Sequence, residues 1–358
     1  MVRAFRLALA VAVCLASCGC GGTNKQSYKY KIAVIPKGLT HEFWQSVHRG
    51  AEQAAKDLTD QGISTQIVWD GPRKEDDAKE QIDIIKLNLS NKINGLVLAP
   101  QHSETMIASV EEAQQQGVPV VIIDSGLNNP DAYIKYVATN NYHGGELAAE
   151  HLLKILRDDG NKAPKLVLLR YQTGSESTDQ REKGFIDYVE KAKEKDQPGI
   201  TWLSKDDYYA GATKDSAMKA AATLLDSLRD KGIDGIFAPN ESSASGLLQV
   251  LRSQKERLPK KVRFVGFDSS VPLLEALEDG EIDGLVVQDP YRMGYLGLWT
   301  NVQYLEGFNV APDGNKVQST GEHLITKTNL KDKSTQELFD EALQLQRKIT
   351  LPDYSKKR

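Results

Sequence analysis

The chain has 358 residues, 40% of them hydrophobic and 26% charged, a length that exceeds one small core and accommodates two domains. Its formal net charge of −4 excludes a nucleic-acid partner held by a concentrated basic face. All three cysteines (Cys14, Cys18 and Cys20) lie in the first twenty residues, so the body has no disulfide and no thiolate for catalysis or metal binding.

The first predicted element is a leader. Arg3 and Arg6 precede an apolar run over 7–15, and Leu15-Ala16-Ser17 lead to Cys18. A basic start, a short apolar core and small residues before a cleavage point make residues 1–17 a secretory signal peptide. The apolar run is about half of what a membrane-spanning helix needs. The Leu-Ala-Ser-Cys ending resembles a bacterial lipoprotein box. That resemblance implies cleavage before Cys18, diacylation of Cys18, and a body tethered to a membrane in the cell envelope, on the periplasmic or extracytoplasmic side. Residues 18–27 are small and polar and read as the tether.

An alternating pattern follows. An apolar strand over 32–35 precedes a helix carrying Phe43, Val47, Ala51, Ala54, Ala55 and Leu58. A strand over 63–69, a helix through Ile82, Ile85 and Leu89, a strand over 95–99, a helix over about 104–116 and a strand over 118–123 complete one block. The pattern restarts with strands predicted at 133–138, 165–169, 200–203, 235–238, 262–267 and 284–287. Helices separate them at 145–156, around 184–192, at 213–228, and through Leu247, Leu248 and Leu251. Short, nearly continuous apolar strands alternating with amphipathic helices indicate α/β structure, with parallel sheets covered on both faces. Two successive blocks of similar length indicate two similar lobes.

Open α/β sheets bind ligands at the carboxyl ends of their strands. Reading just past each strand gives His41, Phe43, Trp44, Asp124, Ser125, Thr139, Arg181, Asn240, Asp268 and Gln288. Aromatic faces stack on planar C–H surfaces, while carboxylates, amides and arginine satisfy hydroxyls that are buried. A neutral polyhydroxylated ligand requires that mixture. Each residue also has a plainer reading. Phe43 and Trp44 are adjacent on a helix, so one of them is expected to pack inward. Asp124 and Asp268 could cap the helices after them, Asn240 could serve a turn, Arg181 could be a solvated charge, and Gln288 a strand end.

The ordered set His41-Glu42-Phe43-Trp44, Val121-Ile122-Ile123-Asp124, Asn140-Asn141-Tyr142-His143-Gly144-Gly145, Arg181-Glu182-Lys183-Gly184-Phe185, Phe237-Ala238-Pro239-Asn240-Glu241, Val265-Gly266-Phe267-Asp268 and Gln288 resembles the ribose/galactose-type periplasmic sugar-binding proteins of ABC importers. The resemblance implies a type I fold of two doubly wound parallel-sheet lobes joined by a three-crossing hinge near Thr139, after Gln288 and near Gly321. One lobe would be 28–139 plus 289–321, the other 140–288 plus 322–350. It implies that Phe43, Trp44 and a second-lobe aromatic, here Tyr209, sandwich a sugar, while Asp124, Arg181, Asn240, Asp268 and Gln288 bind its hydroxyls. The chain departs from ribose-type relatives in having His41 for Asn, and Ser125 where an Arg follows the first-lobe Asp. Lys37 and Arg170, both at strand ends, are placed to supply the missing positive charge or to lie at the surface.

The function expected is an extracytoplasmic solute-binding lipoprotein, a monomer, that captures a monosaccharide or polyol and delivers it to ABC transporter permease subunits. No cofactor or metal is expected: the six histidines have no ligand spacing, and Gln45 stands where a zinc helix would need a second His after His41. Two rivals use the same residues. A sensor presenting its ligand to a membrane receptor would have identical binding chemistry. A glycoside-processing enzyme could use Asp124 and Asp268 as paired carboxylates, although nucleophile-elbow and Walker motifs are absent. Sugar-responsive repressors share the fold, but a leader occupies the place of their DNA-binding domain.

Overall fold

The computed structural model of the protein describes residues 28–354. The predicted leader, the tether and the lipid-attachment residue Cys18 lie outside the described residues. Among the described residues no helix is long and apolar enough to cross a membrane.

The first block forms β1 (Tyr30–Ile35), α1 (Glu42–Asp60), β2 (Thr65–Trp69), α2 (Ala78–Ser90), β3 (Gly95–Leu98), α3 (Ile107–Gln115), β4 (Val120–Ile123) and β5 (Lys135–Ala138). The second forms α4 (Asn141–Asp158), β6 (Lys165–Leu168), α5 (Glu176–Lys195), β7 (Thr201–Ser204), α6 (Lys214–Leu228), β8 (Gly235–Phe237), α7 (Glu241–Gln254), β9 (Arg263–Phe267), α8 (Val271–Asp279) and β10 (Gly284–Val287). Then come α9 (Pro290–Leu305), β11 (Val317–Ser319), β12 (His323–Ile325), α10 (Lys333–Gln336) and α11 (Glu341–Gln346). The apolar runs become strands with helices on both faces, so β3, β4, β8 and β10 are buried along their whole length.

Two six-stranded sheets result, ordered β11-β5-β4-β3-β1-β2 and β12-β10-β9-β8-β6-β7. Leaving aside β11 and β12, the remaining five strands of each follow the same order. The flanking strands differ: β11 pairs parallel with β5, whereas β12 pairs antiparallel with β10. The two flanking strands are three residues long and lack an apolar run, so periodicity does not reveal them. Helix α9 was also not predicted. It is buried around most of its circumference and therefore carries no polar stripe to mark it. Helix α5 begins at Glu176, eight residues before its apolar positions make it legible, because its first turns are polar.

The chain passes between the sheets at residues 139–140, 288–289 and 320–322, as the sheet order requires. Helices α4 and α9 each start directly after such a passage. Asn140 accepts the His143 N–H, and Asp289 accepts the Arg292 N–H ahead of Pro290, so each begins with a capped turn. Each then lies tightly against the helix that follows the first strand of its own lobe. A Cβ on Gly145 would meet the Arg181 carbonyl oxygen at 2.0 Å, and one on Gly294 would meet that of Val47 at 1.8 Å. These contacts fix α5 against α4 and α1 against α9.

The expectation that 322–350 belongs to the second lobe needs correcting. Ile325, Leu330 and Leu338 pack into the second sheet's core. From Glu341 onward the chain lies on the first lobe: Glu341 pairs with Arg49 at 2.8 Å, Ile349 packs in that core, and Tyr354 meets the Thr300 hydroxyl at 3.1 Å. A fourth passage near Asp340 is the reason, and the polar sequence around it gives no signal of it.

Candidate functional site

The carboxyl ends of the two sheets face each other across a narrow cleft. Asp124 follows β4 and Asp268 follows β9, and each adopts the left-handed backbone region, at φ 61° and 68°. Such backbone costs a non-glycine residue roughly 1–3 kcal/mol, and it gathers at functional sites. Each Asp N–H donates to the next strand, at 3.1 Å to Val137 O and 2.8 Å to Val286 O. Neither side chain caps the helix that follows it. The turn instead aims both carboxylates into the cleft.

The first-lobe wall begins with His41, the N-cap of α1. Phe43 and Trp44 both line the cleft, their rings 4.8 Å apart at 88°. Both also pack into the first-lobe core, Trp44 the deeper at 2% exposure, so the inward packing expected of one of them coexists with a place in the cleft lining. Glu75, in the loop between β2 and α2, is 5% exposed. Its Oε1 receives Trp44 Nε1–H at 2.6 Å and lies 2.9 Å from His41 Nδ1. Burial alone would raise the Glu75 carboxyl, but His41, Lys37 and the Tyr171 hydroxyl hold it at about 2. Burial opposes charge on His41 as well, and Glu75 overcomes this to raise the imidazole to about 9. The pair is therefore ionic at neutral pH. Lys37 Nζ lies 3.2 Å from Asp124 Oδ2.

The second-lobe wall is built around Arg181 and Asp268. Arg181, 2% exposed, donates Nε–H to Asn141 Oδ1 at 2.8 Å and an NH1 hydrogen to Pro239 O at 3.0 Å. Its guanidinium lies 3.9 Å above the Phe267 ring and 3.7 Å from Asp268 Oδ2. Asp268 also receives Gln288 Nε2–H at 2.6 Å and the Glu241 N–H at 3.1 Å. Burial raises the Asp268 carboxyl, against the pull of Arg181 and Gln288. Asn240 caps α7 by accepting the Ser243 N–H. Burial pushes the Glu241 carboxyl up to about 7, with Asp268, Glu42 and Glu75 adding to the rise and His41 opposing it. Two buried acceptors of this wall, Glu241 Oε2 and Gln288 Oε1, have no hydrogen-bond partner among the described residues.

The walls touch along one side. The Tyr171 hydroxyl donates to Glu75 Oε2 at 2.5 Å, and Lys37 Nζ donates to the Ser175 and Ser177 hydroxyls at 3.0 Å each. Gly126 N–H reaches Glu176 Oε2 at 2.8 Å. The structure is thus a closed form, with groups from both lobes presented to one small space.

Of the residues singled out in the sequence, His41, Phe43, Trp44, Asp124, Arg181, Asn240, Asp268 and Gln288 line the cleft together. Three do not. Ser125 lies in the seam beside it, its hydroxyl accepting the Ser177 N–H at 3.1 Å. Thr139 sits at the first passage and donates to Gly321 O at 3.3 Å. Tyr209 is 40% exposed and covered by the Arg170 guanidinium, 5.1 Å from the ring. The second-lobe aromatic in the cleft is instead Tyr171, which leaves β6 directly after Arg170. The choice left open between Lys37 and Arg170 falls on Lys37, since Arg170 is engaged by Glu182 at 2.6 Å. Glu75, Ser177, Thr178 and Glu241 also line the cleft and were not singled out. Glu241 stood next to Asn240 in the sequence reading. Glu75 lies among Arg73, Lys74, Asp76 and Asp77, where a charge reads as solvated.

The sequence matches the periplasmic binding protein domain family over residues 32–308. It is 24% identical to the D-ribose/D-allose-binding protein of Pseudomonas aeruginosa over 303 residues, 83% of this chain and 89% of that protein. Among solved structures it is similar to the periplasmic component of an ABC-type sugar transport system from Hahella chejuensis, with 33% identity, a TM-score of 0.74, and coverage of 83% of this chain and 99% of that one. It is similar also to a carbohydrate transporter solute-binding protein from Agrobacterium radiobacter in complex with D-arabinose, with 32% identity, a TM-score of 0.76, and coverage of 87% and 99%. With a match across most of its length and the paired-sheet fold, the chain belongs to the periplasmic binding protein family, of type I.

Proposed function

We propose that this protein captures a monosaccharide or related polyol between its lobes and delivers it to the permease of an ABC importer. The observation that carries the reading is the composition of the closed cleft. Two aromatic rings at the end of α1 offer faces for C–H surfaces, while Asp124, Arg181, Asn240, Asp268 and Gln288 offer hydrogen-bonding groups from both sheets. The relatives support it, because their names and bound molecules are sugars. The family is one of binding proteins rather than enzymes. Both Asp side chains in the cleft are engaged by neighbouring cations, an arrangement that holds hydroxyls.

A ligand gripped by both lobes binds the closed form better than an open one, and so shifts the population toward closure. The closed pair of lobes then presents a composite surface to a permease. The protein acts as a monomer tethered outside the cytoplasm through lipidated Cys18. Two acyl chains give stable attachment where one would be marginal. Cys18→Ser should release the protein from the membrane fraction; unchanged association and mobility would remove the anchor from the account.

Thermal denaturation of the mature protein against pentoses, hexoses and sugar alcohols tests the binding role. A ligand at 100 times its Kd stabilises the folded state by about 2.7 kcal/mol. At least one sugar should raise the melting temperature by several degrees. A flat response to every carbohydrate would contradict the reading.

A further inference from the structure

Each cation lining the cleft has its own carboxylate. Lys37 lies 3.2 Å from Asp124, His41 lies 2.9 Å from Glu75, and Arg181 lies 3.7 Å from Asp268. Glu241 is the fourth carboxylate of the lining, and no cation of the lining remains for it. Its Oε2 is fully shielded from solvent and has no partner among the described residues. Beside it, Gln288 is 4% exposed and commits its amide N–H to Asp268, which leaves Oε1 as a second buried acceptor without a donor. Glu241 and Gln288 flank the same Asp268, one through a backbone N–H and one through a side-chain N–H. Gln288 Oε1 and an ionised Glu241 thus offer acceptors here, and the lining holds no cation to balance Glu241 once it has lost its proton.

A buried acceptor left unpaired is costly, and a charged one more so. A neutral hydroxyl brings one hydrogen to this place. A protonated primary amine brings three, together with the missing positive charge. We propose that the cleft is selective for an aminated sugar or polyol, whose ammonium group sits against Glu241 and Gln288. Acidic and phosphorylated sugars are disfavoured by the same charge balance. The inference rests on the sugar-binding reading above and narrows it to a ligand class.

Calorimetric titration of the mature protein separates the two. The probes are D-glucosamine and D-galactosamine, their hydroxyl parents D-glucose and D-galactose, the N-acetylated forms, and the neutral sugars D-ribose, D-allose and D-arabinose. Charge-assisted bonds are about twice as strong as neutral ones, so an amine should bind at least about tenfold tighter than its hydroxyl parent. The N-acetyl form, which has lost the charge, should lose that advantage. Glu241→Gln should bring the ratio of amine to parent affinity close to one. Neutral sugars that bind as tightly as the amines, or an N-acetyl form that keeps the advantage, would overturn the selectivity and leave sugar binding standing. An unchanged ratio in folded Glu241→Gln would overturn the role of Glu241. If that variant does not fold, the N-acetyl comparison on the unsubstituted protein decides. Binding of none of these sugars would overturn both readings.

Discussion

The two walls of the cleft stand on one frame and carry different chemistry. Asp124 and Asp268 occupy corresponding places, each just past a central strand, each with left-handed backbone, each bonded through its N–H to the next strand. Around Asp124 the wall is continuous with the hydrophobic core: Phe43 and Trp44 belong to the same packed cluster as Val47, Val97 and Val121. Its charges are paired internally, through Lys37 and through the His41–Glu75 pair. Around Asp268 the wall is polar, and it ends in acceptors that no described residue satisfies. In the proposed reading the repeated fold fixes where a ligand sits, while the residues hung on each copy decide which part of it each lobe reads. The first wall supplies shape and the second supplies hydrogen-bond demand.

If that division holds, Trp44→Ala should be costly twice. Removing a buried Trp from a core costs about 3–5 kcal/mol of stability, and loss of a binding aromatic costs about 2 kcal/mol, or roughly 30-fold in affinity. Denaturant unfolding and sugar titration read the two losses separately. Intact stability would place Trp44 outside the core, against its contacts.

Asp268→Ala should show the opposite balance. It leaves the Gln288 amide and the Glu241 N–H without their acceptor and Arg181 without its counter-charge, and should weaken sugar binding by about 2–4 kcal/mol. Asp124→Ala removes one acceptor from Lys37, which keeps the Ser175 and Ser177 hydroxyls, so its effect on affinity should be smaller. Equal losses in the two variants would erase the proposed difference between the walls.

In its closed form the protein should also lose stability as pH rises, from one group on each wall. Glu241 is raised from 4.5 to about 7, so the folded state binds its proton more tightly than the unfolded chain does. That contribution is present below 4.5 and is lost as pH rises through about 7. His41 is raised from 6.5 to about 9, so its contribution is present below 6.5 and is lost as pH rises through about 9. Melting temperature measured against pH should therefore fall in two stages, amounting to a few kcal/mol at most. Glu241→Gln should flatten the lower stage and leave the upper one. A variant with the unaltered lower slope would remove Glu241 from the explanation.

The smallest effect concerns the shared frame. Glycine accepts left-handed backbone without strain, so Asp268→Gly and Asp124→Gly should each be more stable than the matching Ala variant, by about 1 kcal/mol. Chemical denaturation of the four proteins checks this. A difference confined to one lobe would mean that the frames are not equivalent.

The inner strands of both sheets were legible because strands buried on both faces are nearly continuous apolar runs, as at Val120–Ile123 and Gly284–Val287. Ligand positions just past those strands followed from the α/β architecture, which is why Asp124, Asn240, Asp268 and Gln288 could be picked out. Residues reaching the cleft from an edge loop could not. Glu75 lies after β2 in a charged segment, and only its closeness to Trp44, His41 and Tyr171 reveals a buried hub. Tyr209 was misplaced for a related reason. Tyr171 and Tyr209 both lie past strands of the second lobe, and sequence does not say which of the two loops turns into the cleft.

Closure is the claim on which the account most depends, because capture requires that Asp124, on one lobe, and Arg181 and Asp268, on the other, grip the same molecule. Small-angle scattering of the mature protein, with and without a sugar shown by calorimetry to bind, tests it directly. The account predicts a smaller radius of gyration with the sugar and a bound profile that matches the closed arrangement, in which Tyr171 meets Glu75 at 2.5 Å. A radius unchanged by a sugar that demonstrably binds would contradict it.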